Sequence, residues 1–297
     1  MTTTAPGKSS RAVFRWRKIA SSATLHAIAL LVAALYAVPM AYVVLVALTP
    51  DGEAPGTWPS HAAFGTFVDA FRSADFLRFF INSALVSVFC TVLQVILSCA
   101  AGYALAMLPV RGRTLILLLL LALLVVPAEV AIVPLFVMVS HFPLTGGNDL
   151  FGFGGHGLLN TLPGIMVPHI VSALAIVMMR QFYAALPREL GDAARIDGLG
   201  EIGIFALVYT PLVKPAIAIV AVFAFQSAWN DFIWPLVVTQ SNDMRTLQLG
   251  LTVFFQENST QWNLLMAAVL VISFPIIILF LLVQRVFNGN ALSGALK

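Results

Sequence analysis

Four stretches of the chain, residues 19–50, 79–110, 150–179 and 258–284, contain no Asp, Glu, Lys or Arg. Each exceeds the roughly 20 residues that an apolar helix needs to cross a bilayer core. Two more, 114–139 and 212–238, are long enough but carry Glu129 in the first and Lys214 and Asp231 in the second. The pattern predicts an all-α transmembrane fold with spans over 25–48, 80–108, 114–139, 158–182, 212–238 and 263–286. Residues 1–23 and 288–297 are expected to be tails of this six-span domain, 24–287.

Polar positions inside the spans mark the candidate chemistry. In the second span Ser87, Thr91, Gln94, Ser98 and Gly102 recur three or four apart and so share one helix face. Small and polar residues of this kind either bring helices close together or line a polar path, with Gln94 the best path candidate. An ionised acid in hydrocarbon costs at least about 2 to 3 kcal/mol, so Glu129 should face the bundle interior or a water-filled cavity. In the fifth span Gln226, Asn230 and Trp234 are spaced by four, with Trp229 and Asp231 beside them. Aromatic planes with amides and an acid suit a sugar-like ligand. An outer-leaflet aromatic belt accounts for Trp229 and Trp234 equally well, though not for Asn230 and Asp231.

One long polar stretch, 186–215, interrupts the second half of the chain. It holds Glu189, Asp192, Asp197 and Glu201, Arg188, Arg195 and Lys214, and glycines at 191, 198, 200 and 203. It reads as two short helices, 188–196 and 200–208, joined at Asp197–Gly198, where a residue without Cβ lets the chain reverse. Ala193, Ala194 and Ile196 form an expected apolar face rimmed by charge, the design of a docking surface. The stretch between residues 140 and 160 has six glycines and is expected to be a mobile loop. Its histidines, His141 and His156, are isolated, and no metal-ligand spacing occurs.

Composition agrees with the span pattern: 60% of residues are hydrophobic and 10% charged, against roughly a quarter charged in soluble domains. Placement of charge sets the expected orientation. With the N-terminus inside, thirteen of the 16 Lys and Arg fall on the inner side, and only Arg72, Arg78 and Arg245 fall outside. Both termini and the 186–215 stretch are then cytoplasmic. Cys90 and Cys99 are nine positions apart on one helix, which argues against a disulfide. No phosphate-binding loop is present, and no nucleic acid is expected as a partner.

The polar stretch resembles the EAA motif of bacterial ABC importer permeases. Asp192-Ala193-Ala194 stands for E-A-A, Gly198 follows after three residues, and Val208-Tyr209-Thr210-Pro211 follows after nine more. Thr210 departs from the usual leucine. LPREL, ARIDG, AWNDFIWPL, TQWNLLMAA and QRVFNG extend the resemblance to the second permease subunit of carbohydrate-uptake importers, over nearly the whole chain. The glycine-rich part, 146–157, fits least.

That resemblance implies a type I importer permease fold whose coupling loop, 187–211, docks on an ATPase through Arg188, Glu189, Asp192, Ala193, Ala194, Asp197 and Gly198. It implies a bacterial cytoplasmic-membrane location, a second permease subunit, two cytoplasmic ATPases that bind ATP and Mg, and an extracytoplasmic solute-binding protein. No cofactor is expected in this chain. Its substrate path would be drawn from Gln94, Glu129, Gln226, Trp229, Asn230 and Asp231. Two alternatives stand beside a carbohydrate importer. One is a same-fold permease for a glycerol-phosphate-type or other small solute. The other, more remote, is a membrane-embedded enzyme with Glu129 and Asp231 as an acid pair and His169 as base, although these lie on three separate spans.

Overall fold

The structure, a computed structural model, describes residues 8–73, 75–255 and 260–288. Among them every named element is helical, and the one extended pairing is an isolated bridge between Phe255 and Thr260. The chain divides into two compact units, Met1–Asp69 with Gln261–Leu270, and Ala70–Thr260 with Val271–Lys297. Of the expected tails, residues 1–7 and 289–297 lie outside the described residues, whereas 8–23 are helical and form the first part of α1 (Lys8–Ala47).

Three helices are long and apolar enough to cross a membrane: Thr24–Ala47 within α1, α3 (Phe76–Met107), which follows the short α2 (Gly65–Arg72), and Trp262–Gln284 within the last helix. α3 alone, with 32 residues, extends for about 48 Å at 1.5 Å per residue. Three other segments qualify only as bent pairs of helices. α4 (Arg113–Leu123) meets the turn Ala128–Ala131 and α5 (Ile132–Ser140) at 99°, α6 (Leu162–Met166) with the turn Val167–His169 meets α7 (Ala173–Ala184) at 46°, and Glu201–Leu212 meets Lys214–Trp229 at 85°. Proline explains where they break. Pro127 lies in the first gap, Pro168 just before the second, and Pro211 and Pro215 flank the third. Each removes an N–H donor and disfavours helical geometry in the residue before it. The second half of the middle pair restarts cleanly because the Ser172 hydroxyl accepts from the Ala175 N–H at 3.3 Å.

In the first unit, Leu48 accepts from the Ala63 N–H at 3.0 Å, closing the loop that follows α1. Asn263 hydrogen-bonds the Asp51 carboxylate at 2.5 Å. Nearly all of α1 from Thr24 to Tyr42 is solvent-facing in the isolated chain, which leaves an apolar surface for lipid or protein.

In the second unit α3 is the central element, packed against α7 and the helix Lys214–Trp229. Gly102 makes the first contact possible: a Cβ there would stand 2.7 Å from the Met179 Cβ. Ser87 and Ser98 are fully buried on the same face, so most of the polar stripe serves close packing, and Gln94 is the member that reaches a cavity. Cys90 and Cys99 are free and buried.

Several segment ends in this unit are tied together by side chains. Asn82 donates to the Asp243 and Arg245 carbonyls at 2.8 and 3.0 Å, and Ser83 accepts from the Leu247 N–H at 2.8 Å. Asn160, in left-handed geometry at φ 56°, accepts from the Gln240 and Ser241 N–H groups at 2.9 and 3.0 Å.

The glycine-rich loop is not the slack connection expected. Asn148 donates to the Ser140 and Phe142 carbonyls and accepts from the Gly155 N–H, and Asp149 accepts from the N–H groups of Phe151 and Phe153. Its glycines allow this close fold: at Gly152 and Gly155 a Cβ would collide with backbone at 2.0 and 2.1 Å.

Candidate functional site

The polar stretch folds as α8 (Glu189–Ile196) followed by a reversal. α8 ends with the Gly198 N–H bonded to the Arg195 carbonyl and the Leu199 N–H to the Ala194 carbonyl, both at 3.0 Å. This pair of bonds is a Schellman cap, which needs a left-handed residue after the helix. Gly198 supplies it at φ +87°. After it come Glu201–Gly203 and a π-helical stretch, Ile204–Tyr209, in place of the regular second helix expected over 200–208.

Tyr209 holds the start of α8. Its buried hydroxyl donates to the Pro187 carbonyl and accepts from the Gly191 N–H, both at 3.1 Å. Gly191 permits the approach, since a Cβ would lie 2.9 Å from the tyrosine oxygen. Tyr103 and Tyr183 pack edge to face, and Tyr209 and Phe205 join them at tilted angles, with centroids 5.1 to 6.3 Å apart. Ala194, Ile204, Met179 and Val213 belong to the same core. The Thr210 hydroxyl pairs with that of Tyr183 at 3.2 Å, so the residue that departs from the motif takes a polar partner where leucine would only pack.

A chain of charged groups runs along the rim. Arg195 reaches Asp192 through Nη1 and Glu201 through Nε, each at 2.8 Å, and the Tyr103 hydroxyl donates to the other Glu201 oxygen at 3.2 Å. Hydrogen bonding to Glu201 pushes the Arg195 guanidinium up, and the same bond holds Glu201 below the ordinary carboxylate value. These groups are about half exposed, so the chain fixes geometry more than it adds stability.

The apolar face expected of Ala193, Ala194 and Ile196 is split. Ala194 is buried in the protein's own core, while Ala193 and Ile196 face outward, Ile196 at 87% exposure; Ile202, in the turn that follows, is 84% exposed. A helix turns 100° per residue, so neighbours cannot all share a face. Arg188, Glu189, Asp192, Asp197 and Gly198, on or next to the same helix, are exposed as well.

The span-borne candidates gather elsewhere in the same unit. A cavity of about 500 Å³ is lined by Glu129, His169, Gln226, Asn230, Asp231 and Trp234, among others. An adjoining one of about 340 Å³ contains Gln94 and shares Pro168, His169 and Ser227 with the first. Helix breaks create the lining. Glu129 lies in the turn at the 99° bend. The fifth segment stops at Trp229 and resumes at Ile233, so Gln226, Asn230 and Trp234 reach one cavity across a break and not along one helical face.

Asp231 organises that break. One of its oxygens accepts from the Trp234 N–H at 3.3 Å, and the other lies 2.9 Å from His169 Nε2. Asn230 accepts from the Gln248 amide at 3.2 Å. Trp229 lies outside both cavity linings. It is 1% exposed, stacks on Phe225 at 5.3 Å and donates to the Ile272 carbonyl at 3.0 Å. Trp234 donates to the Gly164 carbonyl at 3.0 Å. Neither ring forms a lipid-facing belt, because each indole N–H has found a carbonyl inside the protein.

Sequence reasoning did not anticipate the roles of Tyr103, Tyr183 and Tyr209, or the His169–Asp231 pair. A tyrosine in an apolar segment needs a hydroxyl partner, and that need was the one available signal. Among the described residues no group of three or more His, Cys, Asp or Glu side chains could hold a metal ion.

The profile of the family described as "Binding-protein-dependent transport system inner membrane component" matches residues 94–291, a range that includes both sites. The arabinooligosaccharides transport system permease protein AraQ of Halalkalibacterium halodurans is 35% identical over 240 residues, covering 80% of this chain and 81% of its own. The diacetylchitobiose uptake system permease protein NgcG of Streptomyces coelicolor is 30% identical over 283 residues, covering 93% and 89%. Two solved structures share the fold. A bacterial ABC transporter involved in import of the acidic polysaccharide alginate aligns with TM-score 0.73 and 23% identity, over 96% of this chain and 100% of that one. A bacterial alginate ABC transporter in complex with an alginate pentasaccharide-bound periplasmic protein aligns with TM-score 0.63 and 14% identity, over 92% and 96%. The chain therefore belongs to the binding-protein-dependent transport system inner membrane components, multi-pass membrane proteins with the type I ABC importer permease fold.

Proposed function

We propose that the chain is the permease subunit of an ATP-driven importer for an oligosaccharide or glycoside. It is a transport component and not an enzyme, as its relatives are permease proteins. Although Glu129, His169 and Asp231 meet at one cavity, their role in this reading is to line a passage.

In the working assembly the chain pairs with a second permease and receives its solute from an extracytoplasmic binding protein. Two cytoplasmic ATPases bind ATP and Mg, and both termini and α8 lie on their side of the membrane. The patch of Ala193, Ile196 and Ile202, with Arg188, Glu189, Asp192, Asp197 and Gly198 around it, sits in one ATPase cleft. Closure of the ATPases then moves α8, and the core of Tyr103, Tyr183 and Tyr209 passes that movement to the spans. This is a population shift between inward-facing and outward-facing states, biased by nucleotide and binding protein.

On the ligand side, Gln94, Glu129, Gln226, Asn230 and Asp231 offer amides and carboxyls that suit hydroxyl groups. No Lys or Arg lines either cavity, which favours a neutral glycan over a phosphate-bearing solute.

The observation that carries the coupling role is the Gly198 cap, which aims an exposed, charge-rimmed patch outward while its other face is tied to the spans. In proteoliposomes containing all partners, Gly198→Pro should abolish ATP hydrolysis stimulated by the binding protein. Hydrolysis at the wild-type level would overturn the assignment.

A further inference from the structure

A third cavity, of about 580 Å³, lies where α3 ends and α4 begins. Arg111, Arg113 and Arg188 line it together with Met107, Leu108, Pro109 and Val110. No acidic side chain is among the lining residues, and none of the three guanidiniums forms an ion pair among the described residues. This contrasts with Arg195 nearby in sequence, which is held by two carboxylates.

Three uncompensated guanidiniums around one concavity repel each other unless an anion lies between them. Guanidinium forks match phosphate oxygens in pairs, which a lone ammonium cannot do. The level of the cavity identifies the source of that phosphate. Arg113 opens α4, and the ten residues after it, Thr114–Leu123, carry no charge. The cavity thus sits at the boundary between arginine and hydrocarbon, with the apolar run Met107–Val110 forming part of its wall. Its volume lies in the roughly 300–1,000 Å³ range of small-molecule sites.

We propose that Arg111, Arg113 and Arg188 form a binding site for the phosphate of an anionic membrane lipid. The assignment to the cytoplasmic leaflet rests on the orientation proposed above; the site itself does not. Because Arg188 is also the residue that caps the start of α8, a lipid bound here links the state of the membrane to the position of that helix.

The test uses the complete transporter in nanodiscs of phosphatidylcholine, with or without cardiolipin, and counts retained cardiolipin by native mass spectrometry. Arg111→Gln with Arg113→Gln should weaken half-saturation by cardiolipin roughly thirtyfold, from two surface charges. Arg111→Lys with Arg113→Lys, which keeps the charge, should lose less and shows that the variants fold. Unchanged cardiolipin retention in the glutamine variant overturns the proposal. Displacement of cardiolipin by millimolar inorganic phosphate assigns the site to a free anion and also overturns it. Loss of ATPase subunits with lipid retention intact assigns the arginines to a protein interface instead. Lipid binding is read independently of transport, so failure of the importer reading would leave this result standing.

Discussion

In the polar segment around α8, the functional atoms are fixed by near neighbours. Gly198 is held by Arg195, Arg195 by Asp192 and Glu201, and Gly191 by Tyr209, 18 positions away. In the cavity the ties are distant: His169 meets Asp231 across 62 positions and Trp234 meets Gly164 across 70. The geometry of the segment is therefore set largely by its own bonds. The cavity is assembled from three broken helices, so any motion of those helices relative to one another reshapes it. The proposed importer would use both kinds of construction, one to receive force and the other to open a passage.

The largest expected effect breaks the segment from within. Tyr209→Phe removes the hydroxyl that serves Pro187 and Gly191, at a cost of about 1 to 3 kcal/mol if these buried groups stay unpaired. Thermal unfolding of the purified complex should fall accordingly. Stimulated ATP hydrolysis should fall with it, and a variant with unchanged coupling would show that α8 is not held through this residue.

On the cavity side, His169→Ala should separate the two regions. It leaves Asp231 without its imidazole partner, and solute uptake should drop about tenfold, in line with loss of one partially buried polar contact of about 1.4 kcal/mol. ATP hydrolysis should remain coupled to the binding protein. Equal loss of both activities would mean that the cavity and α8 are not mechanically distinct.

Gly198→Ala is the graded counterpart of the proline change. Space is open around this residue, with nothing within 4 Å of an added Cβ, so the penalty is the left-handed backbone alone. That costs about 1 to 2 kcal/mol, and coupling should be weakened without loss of assembly.

The smallest effect is a pH dependence at the rim. Arg195 holds Glu201 below its ordinary value near 4.5. Its contribution is therefore fully present above that pH and is lost as pH falls through the lower folded value. Below that window the Glu201 contacts to Arg195 and Tyr103 should loosen, and Arg195→Gln should reduce the dependence to what the Tyr103 hydroxyl sustains. Amide exchange of the Glu201–Gly203 turn in detergent would report it.

The break points were only partly legible. Pro127, Pro168 and Pro211 are visible in the sequence, yet proline is tolerated inside α1 at Pro39 and inside the last helix at Pro275. Neighbouring helices decide whether a freed carbonyl is satisfied in place or the chain turns. For the same reason Trp229 and Trp234 could be read as a belt or as ligand contacts: both indole N–H groups are used inside the protein, by Ile272 and Gly164, and of the two rings Trp234 lines the larger of the two cavities while Trp229 lines neither. The split of Ala193, Ala194 and Ile196 could have been anticipated from the helical repeat, whereas the depth of Ala194 depends on three tyrosines brought from different segments.

By itself the sequence determined that this is a multi-pass membrane protein, because charge-free runs of this length have no other stable environment. It also determined where the chain reverses after α8, since a Schellman cap with glycine is a local bond pattern needing no partner from afar. Only the tertiary structure decided which polar groups meet. The pairing of His169 with Asp231, the exclusion of Trp229 from the cavity and the use of Thr210 by Tyr183 all depend on the angles at which broken helices pack. Those angles are set by contacts between residues far apart in the chain, which no local pattern records.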